Sequence, residues 1–137
     1  MIDIENDVFD TVATALRAAH DGIFVAGEYI DAPSSFPAVT IVESDNRVLE
    51  RMRTISIENA VSVMYEANIY SNKVNGKKAE AKAIADTLDA AFEQSGFTRT
   101  MRSQVSNLND ATIYRIVCRY EAVVAPNGSN NYLVYQN

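Results

Sequence analysis

Between Ile4 and Ala19 the apolar residues Val8, Phe9, Val12, Ala15, Leu16 and Ala19 recur at three- and four-residue intervals, with Asp7, Asp10, Thr11, Thr14 and Arg17 between them. That spacing lines one stripe of a helix. Asp3, Glu5 and Asp7 fall near its positive end and Arg17 near its negative end, and Gly22 offers a stop. Ile23 to Ile30 reads as a strand interrupted at Gly27, where a bulge or a close backbone approach is expected. Residues 31–37, with two prolines and two serines, read as a loop. Ala38 to Glu43 is short and β-branched, which predicts a strand ending in the turn residues Ser44, Asp45 and Asn46.

Farther along, Val61, Val63, Tyr65, Ala67 and Ile69 alternate with Ser62, Glu66 and Asn68, the pattern of a strand with one wet face. Residues 47–58 between these two runs are compatible with one helical turn, but an extended, projecting connection suits Thr54 to Ile57 better. Ala81, Ile84, Ala85, Leu88, Ala91 and Phe92 form an apolar stripe opposite Lys78, Lys82, Asp86, Asp89 and Glu93, a second helix closed by Gly96. Phe97 to Ser103 and Thr112 to Val124 are β-rich runs separated by the turn cluster at 107–110, which predicts an antiparallel hairpin. The order helix, strands, helix, strands predicts an α+β fold: a mainly antiparallel sheet of four to five strands with two helices packed on one face. Residues 1–125 make this single domain. Residues 126–137 read as a flexible tail whose apolar tip, Tyr132, Leu133, Val134 and Tyr135, needs a docking site, for which a neighbouring subunit is a candidate.

A length of 137 residues suits one domain with a real core. No apolar run approaches the roughly 18 residues of a membrane-spanning helix, and the acidic N-terminal stretch lacks the pattern of a secretory signal, so a cytosolic site of synthesis and assembly is expected. The formal charge of -6 argues against a protein that grips phosphate backbones, and an acidic surface beside nucleic acid prevents sticking.

Candidate chemistry changes this picture little. The run Asn75-Gly76-Lys77-Lys78 has one glycine and no hydroxyl where a phosphate loop needs two glycines and a Ser or Thr, so it reads as a turn into the second helix. The lone His20 lacks the companions of a usual metal site, and the lone Cys118 alternates with Tyr114, Ile116 and Tyr120 as a small core hydrophobe. Asp86 and Asp89, three apart on the polar side of a helix, read as solvated acids. No catalytic residue, metal or cofactor is expected.

Arginines are more informative. Arg47, Arg51 and Arg53 stand out from an acidic chain in the connection that escapes the core, either as a solvated loop or as a partner-binding loop. Arg99 and Arg102, with Arg115 and Arg119, place a second positive concentration on the predicted hairpin, explained by cross-strand pairing with acids or, more boldly, by a nucleic-acid face. Of the seven tyrosines, Tyr65, Tyr114 and Tyr120 are expected in the core, leaving Tyr132 and Tyr135 for an interface.

The segment "AVSVMYEANIYSNKVNGKKAEAKAIADTLDAAFEQSG" from Ala60 to Gly96, followed by "FTRTMRSQVSNLND" and "ATIYRIVCRYEAVV", resembles the tail terminator, or tail completion, proteins of long-tailed bacteriophages and prophages. The likeness lies in a strand ending in aromatic-Ser-Asn, a Gly-Lys turn, an Ala-rich helix closed by glycine and a final strand pair, over about the last two thirds of the chain. It implies an α+β subunit that assembles as a ring, commonly a hexamer, on the head-proximal end of the tail tube. Such a ring halts tube growth and offers a surface to the head connector while DNA passes through the lumen without specific binding. The location implied is the virion, with no membrane partner. On this reading Arg47, Arg51 and Arg53 reach the tube protein, and Tyr132, Leu133, Tyr135, Arg99 and Arg102 serve subunit contacts. A head-completion or tube subunit of the same assembly, and a small ligand-binding α+β enzyme, are the competing readings.

Overall fold

The computed structural model describes residues 2–30, 32–49, 60–107, 110–126 and 132–135. Two helices, α1 (Glu5–Ala19) and α2 (Lys77–Gln94), accompany strands β1 (Phe24–Ala26), β2 (Ala38–Val48), β3 (Val61–Ser71), β4 (Thr98–Val105), β5 (Tyr114–Pro126) and β6 (Tyr132–Tyr135). The main sheet runs in the order β1-β2-β3-β5-β4. Among the described residues only β1 and β2 pair in parallel; the other pairs are antiparallel, so the fold is α+β with a mostly antiparallel sheet. The short β6 adds to β5 at Val123–Pro126, while β4 takes Arg115–Glu121. Because β3 already occupies the other side of β5 as far as Val124, β6 lies in line with β4 on the same edge.

Period-two alternation decides what is inside. Val25, Val39, Ile41, Val61, Val63, Tyr65, Ala67, Ile69, Ile116, Cys118, Tyr120, Ala122 and Val124 all point to one face and form the core with Val8, Val12 and Leu16 of α1 and Ile84, Ala85, Leu88 and Phe92 of α2. Aromatic rings pin the C-terminal end of α2 to the sheet. Phe92 stacks on Tyr120 with centroids 4.1 Å apart and meets Phe97 edge-on at 5.3 Å, and Phe97 meets Tyr65 edge-on at 5.5 Å. Pairs of this kind contribute about 0.5–1.5 kcal/mol each beyond the area they bury. At the other end, His20 Nε2 and Thr87 Oγ1 lie 2.9 Å apart and join the C-terminus of α1 to α2.

Four sequence expectations change. The strand expected over Ile23–Ile30 is only Phe24–Ala26, because β1 pairs in parallel with β2 and the chain must leave the sheet at once to return to Ala38. Gly27 packs against the Phe9 ring, the close backbone approach anticipated there. The expected turn at Ser44-Asp45-Asn46 is instead a bulge inside β2, with the register shifting between Glu43 and Asp45 and the strand continuing to Val48. Ser44 Oγ donates to the Met64 carbonyl, and Asn46 Nδ2 donates to Glu43 Oε1 and the Ile2 carbonyl, so turn-forming side chains are satisfied without a turn.

The supposedly wet face of β3 is largely closed: Asn68 is 1% exposed, and Ser62, Tyr70 and Thr40 on the neighbouring strand are also buried. Central position in the sheet, long flanking side chains and the Tyr70 hydroxyl reaching the Ile30 carbonyl account for it. Finally, the tail is not wholly apart from the domain, since Tyr132–Tyr135 pairs with β5 of its own chain. The turn before α2 is as expected, with Gly76 at φ 130° and Asn75 at φ 61°.

Candidate assembly surfaces

Residues that the sequence singles out are distributed over three surfaces. The first is the β2–β3 hairpin. Arg47 is not in a projecting loop but in β2, opposite Ser62, and its Nε lies 3.0 Å from Asp45 Oδ2 on a well-exposed side of the strand. Leu49 N donates to the Ala60 carbonyl and extends the ladder one step. Arg51 and Arg53 lie outside the described residues.

The second surface is the β4 edge. Arg99 and Arg102, expected at subunit contacts, are engaged within the chain. Arg99 Nη1 donates to Asp89 Oδ2 at 2.7 Å, and Arg102 Nη2 donates to the same oxygen at 2.7 Å and to Asp86 Oδ1 at 3.2 Å. Asp89 also accepts the Tyr120 hydroxyl at Oδ1. Asp89 therefore collects two cations and a phenol and is only 26% exposed, whereas Asp86 is 75% exposed. Reading both as solvated acids is corrected for Asp89. Helical periodicity marks the polar side of α2 correctly, but β4 brings its arginines beneath that side. In register, Arg99 pairs with Tyr120 and Arg102 with Cys118, so both occupy positions that face the helices. A hollow of about 400 Å³ between Asp89, Glu93, Thr98 and Arg99 opens beside this cluster. Burial pushes the Tyr120 hydroxyl well above the usual tyrosine range, with Cys118 and Asp89 adding to the effect, so it stays a donor.

The third surface is the helix-free face of the sheet. Arg115 Nε and Nη2 both donate to Asn68 Oδ1, at 3.0 and 2.7 Å, and its guanidinium lies 5.5 Å from the Tyr70 ring centroid. Arg119 Nε donates to Glu66 Oε1 at 3.2 Å across β3 and β5. Cross-strand pairing with acids, the modest explanation for this positive concentration, holds for Arg119 with Glu66, whereas Arg99 and Arg102 pair with acids of α2. Thr40 Oγ1 and Asn68 Nδ2, on residues directly opposite each other in β2 and β3, are buried without a partner among the described residues.

Cys118 is fully buried, and burial raises its thiol pKa, as suits a core residue. Tyr65 and Tyr120 are core residues as expected; Tyr114 is partly buried. The backbone of Tyr132, Leu133 and Tyr135 is placed in β6, and their side chains lie outside the described part. Lys77 Nζ donates to the Thr112 carbonyl, fastening the Gly-Lys turn to the segment before β5. Among the described residues no group of three or more His, Cys, Asp and Glu is placed to hold a metal, and no helix is long and apolar enough to cross a membrane. Sequence reasoning missed the Arg115–Asn68 pair and the Asp89 hub because both depend on strand register, which only spatial pairing sets. No protein-family model matches this chain, and no curated protein matches it either.

Proposed function

We propose that this chain is a structural subunit that forms a ring, a homo-hexamer in the manner of the phage proteins it resembles, on the head-proximal end of a bacteriophage tail tube. Such a ring ends tube polymerisation and presents the surface to which the head joins, within the virion, after assembly in the host cytoplasm. The observation that carries the reading is the asymmetry of the sheet. One edge is the three-residue β1, and the opposite edge is the line of β4 and β6. A closed ring needs two different patches on each subunit, one meeting the other on the next copy. Unlike edges on opposite sides of one rigid sheet supply that requirement. The α+β architecture and the element order agree with the resemblance, and the charge of -6 suits a lumen along which DNA slides without sticking.

On this reading the residues that join β2 to β3, Arg51 and Arg53 among them, reach the tube protein. The test is electron microscopy of purified protein mixed with growing tail tubes. A cap at one end and a halt in growth are expected. The double reversal Arg51→Glu/Arg53→Glu is expected to weaken capping while the circular dichroism spectrum stays unchanged. A folded protein that leaves tube length unaltered would overturn the proposal, and one that itself polymerises into tubes would identify a tube subunit instead.

A further inference from the structure

A cavity of about 360 Å³ opens between the first turn of α1 and the segment that follows β1, lined among others by Glu5, Phe9, Gly27, Glu28, Ile41 and Tyr65. None of its lining residues belongs to β4 or β6, and it is independent of the ring reading. Its floor carries an unusual group. The Tyr65 side chain is 1% exposed, and its hydroxyl has no hydrogen-bond partner among the described residues. A buried hydroxyl left unmatched costs about 1–3 kcal/mol, so a group in the cavity that hydrogen-bonds it is favoured.

The surroundings select the sign of that occupant. Glu5 and Glu28 line the mouth, and the carboxylates that act most strongly on the Tyr65 hydroxyl are Glu43, its cross-strand partner, then Glu5 and Asp3. The cavity that Tyr65 helps to line is thus acidic. Burial and these carboxylates push its pKa upward, which leaves a neutral phenol with free lone pairs. The positive end of α1 amounts to about half an elementary charge and is outweighed by Asp3 and Glu5, with Asp3 Oδ1 already accepting the Glu5 N–H at 3.0 Å. An anion is repelled here. The cavity is of the size that holds an organic group rather than a bare metal ion.

We infer that this cavity binds a guanidinium or alkylammonium group, with Glu5 and Glu28 supplying opposite charge, the Tyr65 oxygen accepting a hydrogen bond at the floor and the Phe9 ring offering an apolar wall. Arginine or lysine on a protein partner and a free small amine share this chemistry. The carboxylates are set at the rim, where each contributes about two- to fivefold in affinity, and the phenol is buried, where one hydrogen bond contributes about two- to tenfold.

The experiment titrates the full chain with N-acetyl-arginine amide, with its neutral isostere N-acetyl-citrulline amide and with agmatine, following the Gly27 and Glu28 amides by NMR. Saturable shifts with the arginine compound and none with citrulline are expected. The Glu5→Gln/Glu28→Gln variant is expected to weaken binding about tenfold, and Tyr65→Phe several-fold without lowering the thermal midpoint. Tighter binding of agmatine than of the blocked arginine would point to a free amine as the source; the reverse would point to a partner's side chain. Equal shifts with citrulline, no shifts at millimolar concentration, or undiminished binding to the double glutamine variant would overturn the inference.

Discussion

The Tyr120 hydroxyl donates to Asp89 Oδ1, so the middle of β5 is tied to the side of α2 that periodicity assigns to solvent. The same carboxylate takes Arg99 and Arg102. Removing it strands a buried phenol and frees two guanidiniums, one of which already has a buried and unpartnered Nε. Asp89→Ala is expected to cost about 2–3 kcal/mol of unfolding free energy, whereas Tyr120→Phe costs about 1 kcal/mol because the carboxylate keeps its arginines. Urea denaturation of both variants checks the order. Equal losses would show that the phenol, and not the arginine pair, dominates the hub.

Gly96 is the point where α2 hands over to β4, at φ 90°, and it is also where β6 approaches. A Cβ there would lie 3.0 Å from Val134 Cγ1 and 3.1 Å from the Val134 carbonyl oxygen. Gly96→Ala is expected to destabilise by about 1–3 kcal/mol, through backbone strain together with displacement of β6. Hydrogen exchange should show the amides of Val134 and its neighbours losing protection before those of β3. Unchanged protection in β6 would mean that Val134 does not depend on this approach.

Glu43 carries the pH dependence. Burial pushes its carboxyl pKa up, the Asn46 amide opposes this, and Glu5, Asp3 and Asp45 reinforce the rise. A carboxyl that binds its proton more tightly in the folded state makes stability fall as pH rises from the usual glutamate range through the raised value. Glu43→Gln keeps an acceptor for Asn46 and removes the charge. Its thermal midpoint is expected to exceed that of the parent at pH 7, with the difference shrinking as the pH drops below about 4. A difference that grows on acidification would reverse the assigned sign.

Cys118 reports on opening of the sheet. It is the sole cysteine, fully buried, with burial raising its pKa, so thiolate and access are both scarce. Reaction with a disulfide reagent at pH 7.5 is expected to be slow in the native protein and to rise in Asp89→Ala in proportion to its lost stability. Fast labelling of the parent chain would place Cys118 nearer the surface than β5 allows.

Thr40 and Asn68 offer a test of the helix-free face. Replacing Thr40 by Val removes a buried, unpartnered hydroxyl at nearly constant volume, and an increase in stability of up to about 1 kcal/mol is expected. A loss would show that the hydroxyl has a hydrogen-bonding role on this face.

Periodicity determined both helices, their apolar stripes and the β3 core set Val61, Val63, Tyr65, Ala67 and Ile69, because a single repeat length fixes which side chains share a face, and turn residues marked the Gly76 turn and the hairpin of β4 and β5. Tertiary structure decided the rest. Parallel pairing truncated β1, pairing with Met64 and Val63 turned the Ser44–Asn46 turn residues into a bulge, and the central place of β3 buried Asn68. The register of β4 on β5 set Arg99 and Arg102 beneath Asp89, and the meeting of α1 with the segment after β1 left the Tyr65 hydroxyl at the floor of an acidic cavity. These relationships join residues far apart in the chain, and no local repeat encodes the distance between two strands that meet only on folding.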